Sequence, residues 1–301
     1  MAMAMGGPNN HSAPPPQSTA PCPMGKPIRY NHRCFLLEFR IKTASIFLCD
    51  RTIIAVYTSF CGRYNPKKAG AMDTIKPESL DFYRQRSQHY AAFKSQFEAG
   101  GFENPSHPAL HGDESLTTFL TALAPGNVGL DAGCGAGAVD VARLRDAGYD
   151  VIGFDAVAEN IETAILKTPK LSKYLKIADL SNPLLYESDS FDFVMCNAVI
   201  QHITPSVLFD ITIPELVRVL KPQGVLQLVF KIGSGMANVR DGEYGVDRIF
   251  HLYSEQDILS KLSDLGCHLV LPSPPDGLGG LMYFTDNKPL RHCVLYARKH
   301  S

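Results

Sequence analysis

The 301-residue sequence lacks long apolar runs, and no window approaches the roughly 18 apolar residues of a membrane-spanning helix. It also lacks the basic start and apolar core of an ordinary signal peptide. The formal net charge is only -1, so the overall charge gives no indication of binding to nucleic acid or to a membrane. None of the eight cysteines stands in C-x-x-C spacing, which argues against a zinc site and favours a reduced intracellular protein.

The charge is unevenly distributed along the chain. Residues 1–71 contain nine Lys or Arg and two acids, a net charge of +7, whereas the remaining 230 residues carry 20 basic and 28 acidic side chains, a net charge of −8. This split predicts a poorly structured basic leader over 1–71, with Met72 as a possible functional start. A mitochondrial transit peptide and an artefact of an upstream start are the other interpretations of this segment.

A glycine-rich turn follows a short apolar stretch in the middle of the chain. The apolar residues of 128–132 predict a buried strand, and residues 138–144 continue with helical spacing. Between them, Gly133, Gly135 and Gly137 allow the backbone to approach a ligand without Cβ atoms in the way. A strand, a glycine turn and a helix N-terminus are the start of a nucleotide-binding βαβ unit.

An acidic residue follows the next predicted strand. Residues 149–154 form a second apolar run, and Asp155 stands at its tip, about twenty residues after the glycines. A carboxylate in this position can accept hydrogen bonds from both hydroxyls of a ribose. The alternative is that Asp155 caps the helix after it.

The glycines alone leave the nucleotide open. Gly133, Gly135 and Ala138 also satisfy the G-x-G-x-x-A variant of the dinucleotide fingerprint, as a nicotinamide-dependent reductase would need. Asp131 argues against a dinucleotide, because a carboxylate two residues before the first glycine would repel a pyrophosphate. It suits a ligand that is cationic or carries an ammonium group.

The motif Asp131-x-Gly133-x-Gly135-x-Gly137 resembles the first motif of the class I S-adenosylmethionine-dependent methyltransferases of the small-molecule type. Three later segments agree with this family in order and spacing: Tyr174 to Leu180 as the third strand, Ser190 to Val199 as the fourth strand and the turn after it, and Leu216 to Leu226 as the helix, turn and fifth strand. Gln223 stands where the family usually has a glycine.

The resemblance covers residues 72–301 and implies a fold. The expected class is α/β, a Rossmann-like doubly wound sheet of seven strands in the order 3-2-1-4-5-7-6, with the last strand antiparallel and helices on both faces. Residues 72–301 would be the methyltransferase domain, with an N-terminal helical lid at about 76–124. Tyr83, Arg84 and Tyr90 are candidates for that lid, although the aromatic residues could equally pack on the sheet.

The resemblance implies S-adenosyl-L-methionine as the cofactor. The residues predicted to bind it are Asp131, Gly133, Gly135, Gly137, Asp155, Ala156, Asp179, Leu180, Asn197 and Tyr83. Asp179 is placed like the acid that bonds the adenine amino group in this family. The alternative is that it caps the turn before Pro183.

His202, just past the fourth predicted strand, is the best candidate for a catalytic general base. The alternative is a helix-cap or supporting histidine without a proton-transfer role. His251 and Tyr253 could line the acceptor pocket, but packing plus an N-cap at Ser254 is the favoured interpretation. Ubiquinone-pathway O-methyltransferases carry acids after the fourth strand that can hold a metal; the neutral Ala198 and Gln201 at the matching places predict no metal.

Two segments rich in glycine or proline, 233–245 and 271–290, are predicted to be loops that select the acceptor. The predicted function is methyl transfer to an O or N atom of a small molecule, in the cytoplasm unless the leader is a mitochondrial transit peptide. A methyltransferase for tRNA or a protein is an alternative; the acidic domain disfavours RNA unless the basic leader supplies a basic face. An inactive S-adenosylmethionine-binding homologue is a further alternative. A membrane partner is not expected, and the oligomeric state stays open.

Overall fold

The computed structural model describes residues 77–97, 101–272, 277–285 and 290–301, together with the backbone of three short strands nearer the N-terminus. Contacts within the chain define two compact units, Met1–Lys68 and Ala69–Ser301. In the first unit the strands form an antiparallel sheet in chain order: β1 (Phe39–Ile41), β2 (Ala44–Cys49) and β3 (Thr52–Val56). Most of residues 1–71 lies outside the described residues, so the poorly structured leader stays a prediction.

An eight-stranded sheet forms the centre of the second unit. Its strands are β4 (Val128–Ala132), β5 (Asp150–Asp155), β6 (Leu175–Ile177), β7 (Phe191–Asn197), β8 (Leu220–Lys231), β11 (Cys267–Leu269), β12 (Met282–Thr285) and β13 (Arg291–Lys299). The neighbouring strands among β4 to β8 pair in parallel. The central strands β4 and β7 are buried along almost their whole length, because helices cover both faces of a parallel sheet. Their sequences are therefore mostly apolar, apart from the buried Asp131 and Asp192.

The strand order confirms the predicted fold. Along the sheet the order is β6-β5-β4-β7-β8-β13-β11, which is 3-2-1-4-5-7-6 when these seven strands are counted along the chain. β13 runs antiparallel to both of its neighbours, β8 and β11. The eighth strand, β12, also pairs with β13 and lies within 271–290, which we predicted to be a loop. That prediction is wrong for Met282–Thr285, because edge pairing with β13 orders this stretch between its glycines and prolines.

Helices cover both faces of the sheet. They are α1 (Pro77–Phe97), α2 (Asp113–Leu123), α3 (Val139–Asp146), α4 (Ala158–Lys167), α5 (Pro205–Val207), α6 (Ile213–Val219) and α7 (Glu255–Asp264). One buried cluster joins the sheet to the side of α6 and α7, and a second joins it to α2, α3 and α4. α1 packs against α4 and has a kink at Arg86. None of the described helices is long and apolar enough to cross a bilayer.

The residues between β7 and β8 do not form one continuous α-helix. A π-helical turn, Leu208–Thr212, separates α5 from α6. Pro214 in the first turn of α6 has no N–H to donate to the preceding turn, so regular α-helical hydrogen bonding cannot continue there.

The prediction of a loop over 233–245 is wrong for Met236–Asp241, whereas the residues on either side of this strand form bends and turns. β9 (Met236–Asp241) and β10 (Val246–His251) form an antiparallel hairpin apart from the main sheet. Its buried positions include Asp241 and Arg248 beside apolar residues. The usual alternation of polar and apolar residues is therefore hidden, since two of the inward-facing side chains are charged.

Candidate active site

A cleft lies over the carboxyl ends of β4, β5 and β7, the edge of a parallel sheet where ligands bind in such folds. Its lining residues are Ser79, Leu80, Tyr83, Tyr90, Gly133, Gly135, Phe154, Asp155, Ala156, Val157, Asn160, Ala178, Leu180, Asn197, Ala198, Val199 and His202.

The glycine turn forms the floor of the cleft. Gly133 and Gly135 have φ angles of +94° and +65°, in the region that favours glycine. A Cβ atom on Gly133 would lie 2.4 Å from Cγ2 of Val199, which lines the same cleft. The backbone N–H of Gly133 donates to the carbonyl of Phe154 over 2.8 Å, and this bond ties the turn to the end of β5. Gly137 does not line the cleft, and its role in binding stays a prediction.

Asp155 connects the glycine turn to α4. One carboxylate oxygen accepts from the backbone N–H of Gly135 over 3.0 Å. The other accepts from the N–H of Val157 over 2.8 Å and from the side-chain amide of Asn160 over 3.2 Å. The carboxylate is thus held at the mouth of the cleft, and it also supports the start of the helix, as the alternative interpretation expected.

Two amide side chains that line the cleft each contain a buried polar atom with no hydrogen-bond partner among the described residues. Oδ1 of Asn197 accepts from Nε2 of Gln227 over 2.7 Å, but its Nδ2 has no hydrogen-bond partner among the described residues. Oδ1 of Asn160 likewise has no partner there. Because a buried polar group without a partner is costly, these atoms indicate where a polar ligand belongs. Asn197 was predicted as a binding residue, whereas Asn160 was missed; its position five residues after Asp155 is the only signal in the sequence.

Two of the predicted acids do not line the cleft. Asp131 is buried, and burial together with its nearby charge raises the pKa of the Cys196 thiol. The carboxylate of Asp179 accepts from the N–H of Ser181 over 2.7 Å, which is the local turn contact of the alternative interpretation. Contact of either acid with a cofactor stays a prediction. Ala156 and Leu180, predicted beside them, do line the cleft.

Helix α1 forms one wall of the cleft, as expected for a lid. Tyr83 and Tyr90 both line it, and their rings meet edge to face with centroids 5.1 Å apart. Arg84 is half exposed and forms ion pairs with Asp81 and Glu159 outside the cleft. The structure therefore brings two of the three lid candidates to the site.

His202 follows β7 in a 3₁₀ turn and lines the cleft beside α1. Its Nε2 is 3.2 Å from the Tyr83 hydroxyl, and its Nδ1 is 3.3 Å from the Ser79 hydroxyl. Burial, followed by the positive charges of Arg248 and Lys231, holds the pKa of His202 well below its usual 6.5. The imidazole is therefore neutral at pH 7.

Arg248, on the β9–β10 hairpin, is a site residue that sequence reasoning missed. Its Nη2 donates to the Tyr83 hydroxyl over 2.7 Å, and its Nη1 is 3.3 Å from a carboxylate oxygen of Asp241. Both members of this ion pair are buried, and the guanidinium carbon lies 4.0 Å from the centroid of the Phe82 ring. No motif marks Arg248 in the sequence, because its role depends on the hairpin that brings it to α1.

The residues considered for the acceptor pocket near α7 mostly pack. Tyr253 is buried and donates its hydroxyl to the carbonyl of Ile203, and Ser254 caps α7 by accepting from the N–H of Asp257. Neither His251 nor Tyr253 lines the cleft. Within the described residues there is no group of three or more His, Cys, Asp or Glu that could hold a metal ion. The free cysteines Cys134, Cys196, Cys267 and Cys293 are buried, as expected for small core residues.

Comparison with known proteins places the glycine turn in a family. Residues 130–228 match the family model described as a methyltransferase domain. A ubiquinone biosynthesis O-methyltransferase of Rickettsia typhi is 38% identical over 101 residues, which cover 32% of this chain and 37% of that protein. A 2-methyl-6-phytyl-1,4-hydroquinone methyltransferase of Synechocystis is 31% identical over 107 residues, 36% of this chain and 33% of that protein. The chain thus spans about a third of the length of these relatives.

A crystal structure of the Burkholderia thailandensis 1,6-didemethyltoxoflavin-N1-methyltransferase, with 1,6-didemethyltoxoflavin and S-adenosylhomocysteine bound, is also similar. It has a TM-score of 0.49 and 15% sequence identity, and the match covers 87% of this chain and 98% of that one.

The strand order and the glycine turn after β4 agree with the family match. Residues 130–228 match a methyltransferase domain, and the strand order is the one expected for class I S-adenosylmethionine-dependent methyltransferases. S-adenosylmethionine is the cofactor of this family, and the cleft fits it on two grounds. First, the surroundings of Gly133 leave no room for a side chain. Second, Oδ1 of Asn160 and Nδ2 of Asn197 are buried and have no hydrogen-bond partner among the described residues.

Proposed function

We propose that this protein transfers a methyl group from S-adenosylmethionine to an O or N atom of a small molecule. The observation that carries the proposal is the position of Asp155, fixed at the mouth of the cleft between the glycine turn and α4. A ligand with a ribose can place its two hydroxyls on this carboxylate. A small-molecule acceptor is supported by the names of two relatives, a ubiquinone biosynthesis O-methyltransferase and a 2-methyl-6-phytyl-1,4-hydroquinone methyltransferase.

Several residues of the chain would hold the cofactor. Asp155 and the Oδ1 atom of Asn160 would accept from the ribose hydroxyls, and Nδ2 of Asn197 would donate to a carboxylate at the other end of the cleft. The backbone at Gly133 and Gly135 provides the close approach. When bound, S-adenosylmethionine supplies a methyl group on a positively charged sulfur; the protein aligns the acceptor with it and excludes water.

His202 is our candidate for the general base. It lies in the cleft wall, and its lowered pKa keeps it in the proton-accepting form at neutral pH. A base assists only an acceptor that must lose a proton, such as a hydroxyl or an amine. A role for His202 as a base therefore requires an acceptor that loses a proton when it is methylated.

The enclosure of the cleft favours a small acceptor over a macromolecule. Residues of α1 line the cleft, and Tyr83 is bonded to Arg248 of the hairpin, so a tRNA or protein substrate would have to displace α1. The net charge of −8 outside the leader also disfavours RNA. We place the reaction in the cytoplasm; a leader that acts as a transit peptide would place it in mitochondria.

Thermal denaturation of the full-length protein tests the proposal. Saturating S-adenosylhomocysteine should raise the melting temperature by mass action, about 2.7 kcal/mol of stabilisation at a hundredfold excess over the dissociation constant, whereas NAD should not. A shift with NAD alone, or with neither ligand, would overturn the cofactor assignment.

The main alternative is a homologue that binds S-adenosylmethionine but has lost turnover. Incubation with methyl-labelled S-adenosylmethionine and a panel of phenols, hydroquinones and amines distinguishes the two. Label that enters an acceptor in the wild type, and does so much more slowly in His202→Gln, supports the enzyme. Binding without transfer to any member of the panel favours the inactive homologue.

A further inference from the structure

Both ring nitrogens of His202 are engaged by side chains of α1. The Tyr83 hydroxyl lies 3.2 Å from Nε2, and the Ser79 hydroxyl lies 3.3 Å from Nδ1. Each ring nitrogen therefore already has a hydroxyl as its hydrogen-bond partner. A proton that reaches either nitrogen along its hydrogen bond passes through one of these two hydroxyls.

Hydrogen-bond directions select the hydroxyl. A guanidinium group has donors only, so Arg248 donates to the Tyr83 oxygen over 2.7 Å. The single hydrogen of the Tyr83 hydroxyl is then free to point at Nε2 of His202, which accepts it. A neutral imidazole that accepts at Nε2 carries its hydrogen on Nδ1, and Nδ1 therefore donates to Ser79. Only the bond to Tyr83 thus leads a proton toward His202.

We propose that Tyr83 is a catalytic residue that relays the acceptor's proton to Nε2 of His202, with Arg248 as the positioning residue that sets this direction. The inference rests on the proposed methyl transfer. It changes the predicted role of Tyr83 from binding the cofactor to handling the proton. Tyr83 and His202 both line the cleft in which the acceptor would bind.

The step balances in atoms and charge. The acceptor's oxygen or nitrogen forms the new bond to the methyl carbon, and the methyl–sulfur bond breaks with its electron pair left on sulfur. The acceptor's proton moves to the Tyr83 oxygen as the Tyr83 proton moves to Nε2 of His202. The positive charge that leaves the sulfur appears on the imidazole, which later releases the proton to water.

The surroundings of His202 favour a resting state with a neutral ring. Arg248 and His251 from β10 and Lys231 from β8 all lower its pKa, after burial as the largest cause. Tyr83 and Ser79 face it from α1. Asp241 is bonded to Arg248 and holds the guanidinium in place from the other side.

Nitrogen NMR of the full-length protein with ¹⁵N-labelled histidine tests the assignment without turnover. The His202 signals are identified by their loss in His202→Gln. In the wild type at pH 7 we expect a neutral ring with hydrogen on Nδ1. In Tyr83→Phe, which keeps the ring but removes the donor to Nε2, we expect a shift toward the tautomer with hydrogen on Nε2.

Two variants serve as controls for this measurement. Tyr244→Phe removes a hydroxyl from the same aromatic cluster, where Tyr244 packs on Phe82 with ring centroids 5.1 Å apart, and should leave the His202 tautomer unchanged. Arg248→Lys keeps a donor-only cation and should retain more of the wild-type tautomer than Arg248→Met. A wild type with hydrogen on Nε2, or an unchanged tautomer in Tyr83→Phe, would overturn the relay.

Turnover and cofactor binding separate this inference from the proposed function. With an acceptor found in the panel, Tyr83→Phe should lower kcat by about 10²-fold or more, the usual contribution of a general base, while S-adenosylhomocysteine affinity stays within a few-fold. A kcat within twofold of wild type would contradict the relay. If the wild type does not bind S-adenosylhomocysteine, the proposed function is contradicted, whereas the NMR result on the His202 tautomer remains valid.

Discussion

At the scale of single residues, one carboxylate serves both the fold and the cleft. Asp155 accepts from backbone N–H groups of the glycine turn and of α4, and it still faces the cleft. A carboxylate that accepts several such bonds is held in one orientation. The Asp155 carboxylate is therefore already oriented, before a ligand binds, for the contact with a ribose that we propose.

Substitution of Asp155 tests this preorganisation. Asp155→Ala removes charge-assisted hydrogen bonds worth about 1.5–3 kcal/mol each, so S-adenosylhomocysteine affinity should fall by at least tenfold in calorimetry. Asp150→Ala is the matched control, since Asp150 lies at the opposite end of β5 and is exposed apart from an ion pair with Arg145. Equal affinities for the two variants would refute a binding role for Asp155.

The pH dependence of stability tests the state of His202. Its pKa in the folded protein lies well below 6.5, so the folded state binds fewer protons than the unfolded state in mildly acidic solution. The contribution of the neutral His202 ring to the free energy of unfolding is complete above pH 6.5. It is lost as the pH falls below 6.5, with a slope of at most about 1.4 kcal/mol per pH unit for one proton. Urea denaturation between pH 5 and 8 should show a steeper loss for the wild type than for His202→Gln. Parallel curves for the two proteins would contradict the lowered pKa.

At the scale of elements, the site depends on a tight turn between β4 and α3. Gly133 adopts φ +94° and packs against Val199, which follows β7. The turn therefore links two neighbouring strands at their carboxyl ends. Its glycine is needed for the backbone conformation and for the space.

A pair of glycine variants separates these two requirements. Gly133→Ala should destabilise the protein more than Gly148→Ala, because Gly148 has nearly the same φ of +92° but no atom within 4 Å of an added Cβ. The common cost of the conformation is about 1–2 kcal/mol, and crowding should add about 1–3 kcal/mol at Gly133. The measurement is the free energy of unfolding in urea, and equal losses would show that Val199 does not limit the turn.

The β9–β10 hairpin is the second element on which the site depends. It carries a buried ion pair between Arg248 and Asp241, and removing one partner of such a pair leaves an uncompensated charge. Asp241→Asn should therefore lower stability by about 3–5 kcal/mol in urea denaturation, whereas Asp247→Asn, at an exposed ion pair with Arg240, should change it by less than about 1 kcal/mol. A small loss for Asp241→Asn would show that the pair is solvated.

At the scale of the whole molecule, the chain forms two units, Met1–Lys68, which is basic, and Ala69–Ser301, which is acidic. The residues that line the cleft all belong to the second unit. We therefore expect residues 1–71 to be dispensable for ligand binding.

Truncation tests this independence. A chain that begins at Met72 should unfold cooperatively, because it keeps all the residues that line the cleft. Its affinity for S-adenosylhomocysteine should lie within about twofold of the full-length protein, where a tenfold change would correspond to about 1.4 kcal/mol of binding free energy. Calorimetric titration of both proteins gives the comparison. An insoluble chain, or one that no longer binds, would contradict the interpretation of 1–71 as an appended leader.

The sequence by itself determined the sheet, the glycine turn, and the positions of Asp155 and His202 after the second and fourth strands. These features are readable because buried parallel strands are mostly apolar and because positive φ angles at a close approach favour glycine. Asn160 left only a weak trace, since an asparagine in a helix has many possible roles.

Only the tertiary structure decided what surrounds His202. The bonds from Ser79 and Tyr83, and the arrival of Arg248 from a hairpin that the sequence hid, join residues more than 100 positions apart. Side-chain contacts of this kind depend on how α1 and the hairpin pack over the sheet, and no local pattern of residue types records that packing. The sequence therefore determined the glycine turn and Asp155, and the packing of α1 and the hairpin decided the surroundings of His202, where we propose that the proton moves.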